Sequence, residues 1–419
     1  MNPIFDRKYF VPDPEAHTMP DGKLYVYGSL DISGNNDYCS PYQRVFSTDD
    51  LTSGRWTDHG VAYSNTEENP QIYWRKTSRL SAPDAIHKDG KYYMYVCSSV
   101  SQIEGMATSD SPCGPFRDTC PVAGADGDGI DPSVFVDDDG SAYLFWGQFH
   151  LRGGKLNADM CSLEESTVNR YILTEQQHGF HEGASIRKRG SKYYMVYADI
   201  SRGSATCLSY AMADSPLGPY KKKGVIIDNM YCDPHTWNNH GSIEEFKGQW
   251  YVFYHRSTQN SRYSRRACVE KIYFNEDGTI NETEMTSQGA SGPINAFGVI
   301  DASVACRLKG NGYIKPDAEG INGEILTNCG GGSWSQDWAE YKYINFGEGI
   351  GAAVIKARGS GTISLYLGDG NTVGTVRIDG EVWREYALPV TRTQGVHPLW
   401  ILFDGKGIDL AYFRFLKSV

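Results

Sequence analysis

No apolar run in this 419-residue chain approaches the ~18 residues that a membrane-spanning helix needs, and no basic run is longer than Lys221-Lys222-Lys223. A formal net charge of −11 and a pI near 5.4 further exclude nucleic acids and anionic membranes as natural partners, since both recruit positive surfaces. A neutral ligand fits better. The first residues, Met1-Asn2-Pro3-Ile4-Phe5-Asp6-Arg7, lack the basic stretch, apolar stretch and cleavage site of a secretory leader, so the chain reads as cytoplasmic. Its ten cysteines show no CxxC spacing, and several, such as Cys97 and Cys268, sit inside strand-like runs. That pattern predicts buried free thiols rather than a disulfide framework. Segments of helical period are few as well, whereas Tyr (28), Trp (9) and Gly (46) are abundant, which predicts an all-β protein.

What is present is a repeat. Five times a Gly-bearing turn leads into an aromatic-rich alternating run: Asp21-Gly22-Lys23-Leu24-Tyr25, Asp89-Gly90-Lys91-Tyr92-Tyr93, Asp139-Gly140-Ser141-Ala142-Tyr143, Arg189-Gly190-Ser191-Lys192-Tyr193 and Lys247-Gly248-Gln249-Trp250-Tyr251. Turn dipeptides of this kind supply the positive φ of tight hairpins, and the period of two that follows marks a strand. Five hairpin units predict a five-bladed β-propeller over residues 1–285, with polar side chains from different blades converging on its shaft. A second phrase, Asp110-Ser111-Pro112-Cys113-Gly114-Pro115 and Asp214-Ser215-Pro216-Leu217-Gly218-Pro219, marks outer-strand turns. Residues 281–295 are polar and read as a linker. From 296 to 419 the text changes to short alternating strands that predict a β-sandwich of jelly-roll type.

Three acids precede strands of different blades: Asp13 before Pro14, Asp131 before Pro132 and Glu182 before Gly183. One acid beside Pro or Gly is ordinarily a turn former. Three at equivalent blade positions predict a carboxylate cluster, whose members must titrate apart. Such a set suits hydrolysis of a glycosidic bond, one acid protonating the leaving oxygen while another activates water.

The runs Asp13-Pro14, Ile130-Asp131-Pro132-Ser133-Val134, His181-Glu182-Gly183-Ala184 and Asn239-His240-Gly241-Ser242 together resemble glycoside hydrolase family 43, over about residues 1–280. The resemblance implies a five-bladed propeller and inverting hydrolysis of xylose and arabinofuranose linkages in oligosaccharides. It also implies Asp13 as general base, Glu182 as general acid and Asp131 as the carboxylate that orients the acid and raises its pKa. His240 would lie beneath the sugar and contact a central calcium, and Arg265 would present its guanidinium to sugar hydroxyls while Arg266 faces the other way. No organic cofactor is implied. The chain departs from the family in carrying Ser81 where a stacking Trp commonly precedes Ala82-Pro83, which leaves Tyr73 or Trp74 as substitutes. Residues 296–419 resemble carbohydrate-binding module family 6 through Trp338-Ala339-Glu340-Tyr341 and Gly395-Val396-His397-Pro398-Leu399-Trp400, with Trp334 and Trp338 as either core or ligand platforms and Asp301 where a calcium-binding acidic pair is usual. The favoured reading is release of α-L-arabinofuranose or β-D-xylose from arabinoxylan-derived oligosaccharides. An endo-arabinanase, which the stretch from Asn65 to Arg79 argues against by walling one end of the cleft, and a non-catalytic sugar-binding propeller are the alternatives.

Overall fold

In the computed structural model, which describes residues 1–69, 79–98, 103–125, 129–329 and 337–418, each Gly-bearing phrase is the first turn of its own antiparallel sheet. The sheets are β1 (Glu15–Thr18), β2 (Leu24–Ser29), β3 (Tyr42–Thr48) and β4 (Thr57–Ser64); β5 (Asp84–Lys88), β6 (Lys91–Cys97), β7 (Glu104–Ser109) and β8 (Arg117–Pro121); β9 (Ser133–Val136), β10 (Ala142–Trp146), β11 (His150–Leu156) and β12 (Asn169–Thr174); β13 (Phe180–Arg189), β14 (Lys192–Asp199), β15 (Cys207–Ala213) and β16 (Lys221–Asp228); and β17 (Ser242–Phe246), β18 (Gln249–Thr258) and β19 (Ser261–Lys271). They are the blades of a five-bladed propeller. At the five turns Gly22, Gly90, Gly140, Gly190 and Gly248 have φ between +59° and +80°, and a Cβ on any of them would meet open space. The demand for glycine there is therefore conformational, not steric.

Blades pack face to face through their alternating apolar positions. Tyr194, Val196 and Leu208 of the fourth blade meet Ile243, Val252 and Cys268 of the fifth, and Val26 and Phe46 of the first meet Phe253 and Val269. The fifth blade has three strands of its own, and the N-terminal segment lies beside the third. Ile4 N donates to Ala267 O (3.0 Å), Val269 N to Asn2 Oδ1 (2.9 Å) and Asn2 Nδ2 to Val269 O (3.1 Å), which ties the first residues to the last blade.

One expectation from the cysteines fails. Cys120 and Cys161, 41 residues apart, form a disulfide, while the remaining eight are free. Spacing hid it because the partners belong to neighbouring blades. Cys120 lies on β8, Cys161 follows β11, and the backbones meet through Ala123 N to Cys161 O and Leu163 N to Ala123 O, both 2.9 Å.

The segment 281–295 is packed in place. Thr286 and Ser287 are buried; Glu270 accepts from the Thr286 amide (2.7 Å), and Ser287 N donates to Lys342 O (2.6 Å). Beyond it, β20 (Ile294–Asn295), β21 (Ile300–Asp301), β22 (Arg307–Lys309), β23 (Tyr313–Pro316), β24 (Glu324–Thr327), β25 (Asp337–Asn345), β26 (Ile350–Leu367), β27 (Thr372–Pro389) and β28 (Val396–Lys417) make one nine-stranded sheet. The expected all-β domain is there, and where the sequence reads as short strands it is built on three of 18, 18 and 22 residues that bend. The bend follows a line of glycines across them, with Gly359 opposite Gly380 and Gly361 opposite Gly405, all at φ between +115° and +153°. A Cβ on Gly361 would stand 2.3 Å from Asp404 O, so no other residue permits this crossing. The sheet thereby curls over its own core of Ile355, Ile363, Leu365, Ile401 and Phe413. Trp338 stacks on Trp400 at 4.9 Å, the Asp301 carboxylate is taken by Ser303 N and Asn322 Nδ2, and Trp334 lies outside the described residues.

Candidate active site

The shaft brings all five predicted site residues together. Asp13, Asp131, Glu182, His240 and Arg265 line one cavity of about 290 Å³. Asp13 stands just before β1 and Asp131 just before β9, and both hold left-handed backbone, φ +56° and +60°. Such strain in a non-glycine residue persists only where the surroundings enforce it, and it turns both carboxylates inward. Glu182 is on β13, where the ladder to β14 shifts register between Glu182 and Ser185. That bulge aims its side chain into the shaft. Gly183 is required for a different reason: a Cβ there would lie 2.8 Å from His240 Nδ1, so the ring of His240 packs directly on the backbone after the acid.

The electrostatics separate the carboxylates. Burial opposes ionisation of Asp13, but the Arg265 guanidinium, His255 and His240 outweigh it and hold its carboxyl well below the usual range. Arg265 Nη1 donates to Asp13 Oδ1 at 3.0 Å, and His255 Nδ1 is 3.3 Å from the same oxygen. Asp131 goes the other way. Burial first, then the carboxylates of Glu182, Asp13 and Glu104, raise its proton affinity far above the ordinary carboxylate range. Its one described anchor is weak, Asp131 N donating to Cys97 Sγ at 3.3 Å. Two carboxyls in one cavity are thus pushed in opposite directions, the condition for acid and base to coexist.

Arg265 is aimed more at the protein than the resemblance implies. Its Nε and Nη2 each donate to Asp31 at 2.9 Å, its backbone N donates to Asp31 at 3.1 Å, and Tyr38 covers its guanidinium at 4.6 Å. Arg266 faces the opposite side and pairs with Glu324 at 2.6 Å. Sequence reasoning missed Asp31, Tyr38, His255 and two amides that hold the acid: Gln148 Nε2 donates to Glu182 Oε2 (2.8 Å) and Asn238 Nδ2 to Glu182 Oε1 (3.4 Å). Asp31 reads as a turn residue, and an amide carries no acid–base signature in a sequence. Tyr73 and Trp74, the substitutes for the missing platform at Ser81, lie outside the described residues, as does most of the wall expected between Asn65 and Arg79.

His240 Nδ1 lies 3.9 Å from Asp13 Oδ1 and 3.7 Å from Asp131 Oδ2. Carboxylate oxygens of Asp13, Asp131 and Glu182 line the same cavity as His240, and oxygen is the donor type a divalent cation takes. A separate buried cluster lies deeper in the shaft. Glu15, His17 and Asp84 are the one group of three potential ligands among the described residues, and Arg187 reaches into it, its Nη2 2.7 Å from Glu15 Oε1 and 3.4 Å from His17 Nε2. A guanidinium already supplies positive charge there.

Residues 1–280 match the model of glycosyl hydrolases family 43. A xylosidase/arabinosidase of Thermoclostridium stercorarium is 29% identical, with 97% of this chain and 96% of that protein covered. A solved β-xylosidase/α-arabinofuranosidase from a compost microbial metagenome, described as a calcium-free form in complex with xylotriose, is 31% identical over 68% of this chain and 97% of its own, with a TM-score of 0.58. The arabinoxylan arabinofuranohydrolase of Bacillus subtilis, solved with cellotetraose, shares the fold at 24% identity and a TM-score of 0.58 across 100% of this chain and 97% of its own. With a family match over two thirds of its length, this chain belongs to glycosyl hydrolase family 43, a glycosidase built on a five-bladed propeller.

Proposed function

We propose that the protein is an inverting glycoside hydrolase that releases α-L-arabinofuranose or β-D-xylose from arabinoxylan-derived oligosaccharides. The observation that carries the mechanism is geometric: Asp13, Asp131 and Glu182 converge on one cavity, with Arg265 Nη1 on Asp13 and the amides of Gln148 and Asn238 on Glu182. Asp13, kept ionised by Arg265, is the base that takes a proton from water as it attacks the anomeric carbon. Glu182, oriented by Gln148 and Asn238, is the acid that gives its proton to the leaving oxygen. Asp131, whose own proton affinity is raised by burial and by the neighbouring carboxylates, stands beside Glu182 in the same cavity and orients it. Arg265, anchored by Asp31, serves first to hold Asp13 ionised and in place. A calcium ion would be held by His240 beside Asp13 and Asp131, where it would supply positive charge against the acids. A cavity of about 290 Å³ is at the small end of ligand sites, which favours removal of one terminal or branching sugar over cleavage inside an arabinan chain.

Proton NMR of the anomeric signals during hydrolysis of arabinoxylan-derived oligosaccharides tests this directly. The expected first product is free arabinose or xylose of inverted configuration. A retained product would overturn Asp13 as base, and binding without release would move the protein to the sugar-binding class.

A further inference from the structure

The leaving group has to sit against Glu182, and the two side chains that hold this acid each have an exposed aromatic as sequence neighbour. Gln148, on one carboxylate oxygen, precedes Phe149; Asn238, on the other, follows Trp237. Phe149 is 51% exposed and Trp237 37%, unusual for large apolar side chains beside a polar site.

Neither ring is there by default. Phe149 has φ +64°, a conformation that costs a bulky residue of the order of 1–3 kcal/mol and persists only where neighbours enforce it. Its backbone is pinned on both sides, Phe149 N donating to His181 O at 2.7 Å and Glu175 N donating to Phe149 O at 3.0 Å, and its ring stands edge to face with His181 at 5.4 Å. His181 itself lines the cavity. Trp237 lines the cavity too, and Arg262 lies 5.6 Å over its ring. A cation over one face fixes the indole and leaves the other for a ligand.

We infer that Phe149 and Trp237 form the subsite for the leaving sugar, and that they select a pyranose, the xylosyl unit of a xylan chain, on the reducing side of the scissile bond. The chemistry is that of sugar recognition generally: a pyranose chair presents coplanar C–H groups that stack on an aromatic face, whereas a puckered furanose presents fewer. This pair supplies stacking that Ser81 cannot. The inference rests on the glycosidase reading above and adds which residues sort its substrates.

Phe149→Ala and Trp237→Ala, with Phe149→Tyr and Trp237→Phe as conservative partners, are measured on three substrates: an oligosaccharide whose sugar is attached to xylopyranose, one whose sugar is attached to arabinofuranose, and the corresponding glycosyl fluoride, which has no leaving sugar. Loss of one stacking contact is expected to lower kcat/KM about tenfold on the xylopyranose-linked substrate, with a markedly smaller fall on the fluoride and on the furanose-linked substrate, and with recovery in the conservative variants. Equal losses on all three, or no loss on the xylopyranose-linked substrate, would overturn the subsite. An unmutated protein inactive on every substrate overturns the glycosidase reading itself, and the subsite with it.

Discussion

Arg187 is buried at the centre of the propeller, and replacing it by Met tests how the five blades are held. Its Nε donates to Glu244 (2.7 Å), its Nη1 to Ile186 O (2.8 Å) and Ser185 Oγ (3.3 Å), and its Nη2 to Glu15 (2.7 Å) and Ala16 O. Met has similar reach but no charge, so Glu15 and Glu244 lose their shared cation. Breaking a buried pair from one side costs about 3–5 kcal/mol, which for a unit of this size corresponds to a fall in Tm of about 10 °C. The loss should depend on pH, with a sign that can be worked out. Burial and then Asp84, against Arg187, push Glu15 up to about 7, and burial raises Asp84 to about 6. Acids whose folded pKa is raised contribute stability that is fully present below their ordinary range and is lost as pH rises through 6 and 7. Without Arg187 these affinities climb further, so a protonated Glu15 partly relieves the variant at pH 5 and an ionised one does not at pH 8. Calorimetric unfolding of the wild type and Arg187→Met at both pH values is the assay. The variant should lose more at pH 8 than at pH 5. A variant within 2 °C of the wild type at pH 8, or a loss equal at both pH values, would refute the reasoning.

Other predictions concern the site. Arg265→Gln removes the cation that depresses Asp13; its pKa then rises, and the acid limb of the kcat/KM profile should move to higher pH by at least about one unit. An unmoved limb would separate Arg265 from the base. Glu182→Ala should abolish turnover of natural linkages while partly sparing aryl glycosides with good leaving groups, since those need little protonation; equal losses would remove Glu182 as the acid. Calcium added to chelator-treated protein should raise Tm in proportion to ln(1 + [Ca]/Kd), and His240→Ala should abolish that rise. A rise that survives in the variant would place the ion elsewhere.

Repetition and glycine made the propeller legible. Five turns that demand positive φ announce five hairpins, and an acid beside Pro or Gly at the same blade position three times points to a shared axis. The disulfide was not legible, because Cys120 and Cys161 meet only when two blades dock. The curl of the C-terminal sheet was not legible, because Gly359, Gly361, Gly380 and Gly405 bend continuous strands at a line that exists only once the strands pair. In the site, Asp13, Asp131, Glu182, His240 and Arg265 were legible as residues that share one cavity, and their supports were not. Asp31 acts only through Arg265, and Arg187 through Glu15, relations that no local pattern encodes.

The tie between the first residues and β19 bears on when the enzyme comes into being during synthesis. Asp13 leaves the ribosome early, but the guanidinium that keeps it ionised is 252 residues further on, and the strand that Ile4 lies beside is made no sooner. A nascent chain of four blades holds all three acids and an unclosed ring. The cavity is therefore complete only once the fifth blade is made, and a shortened chain of four blades carries Asp13, Asp131 and Glu182 without His240 or Arg265 beside them.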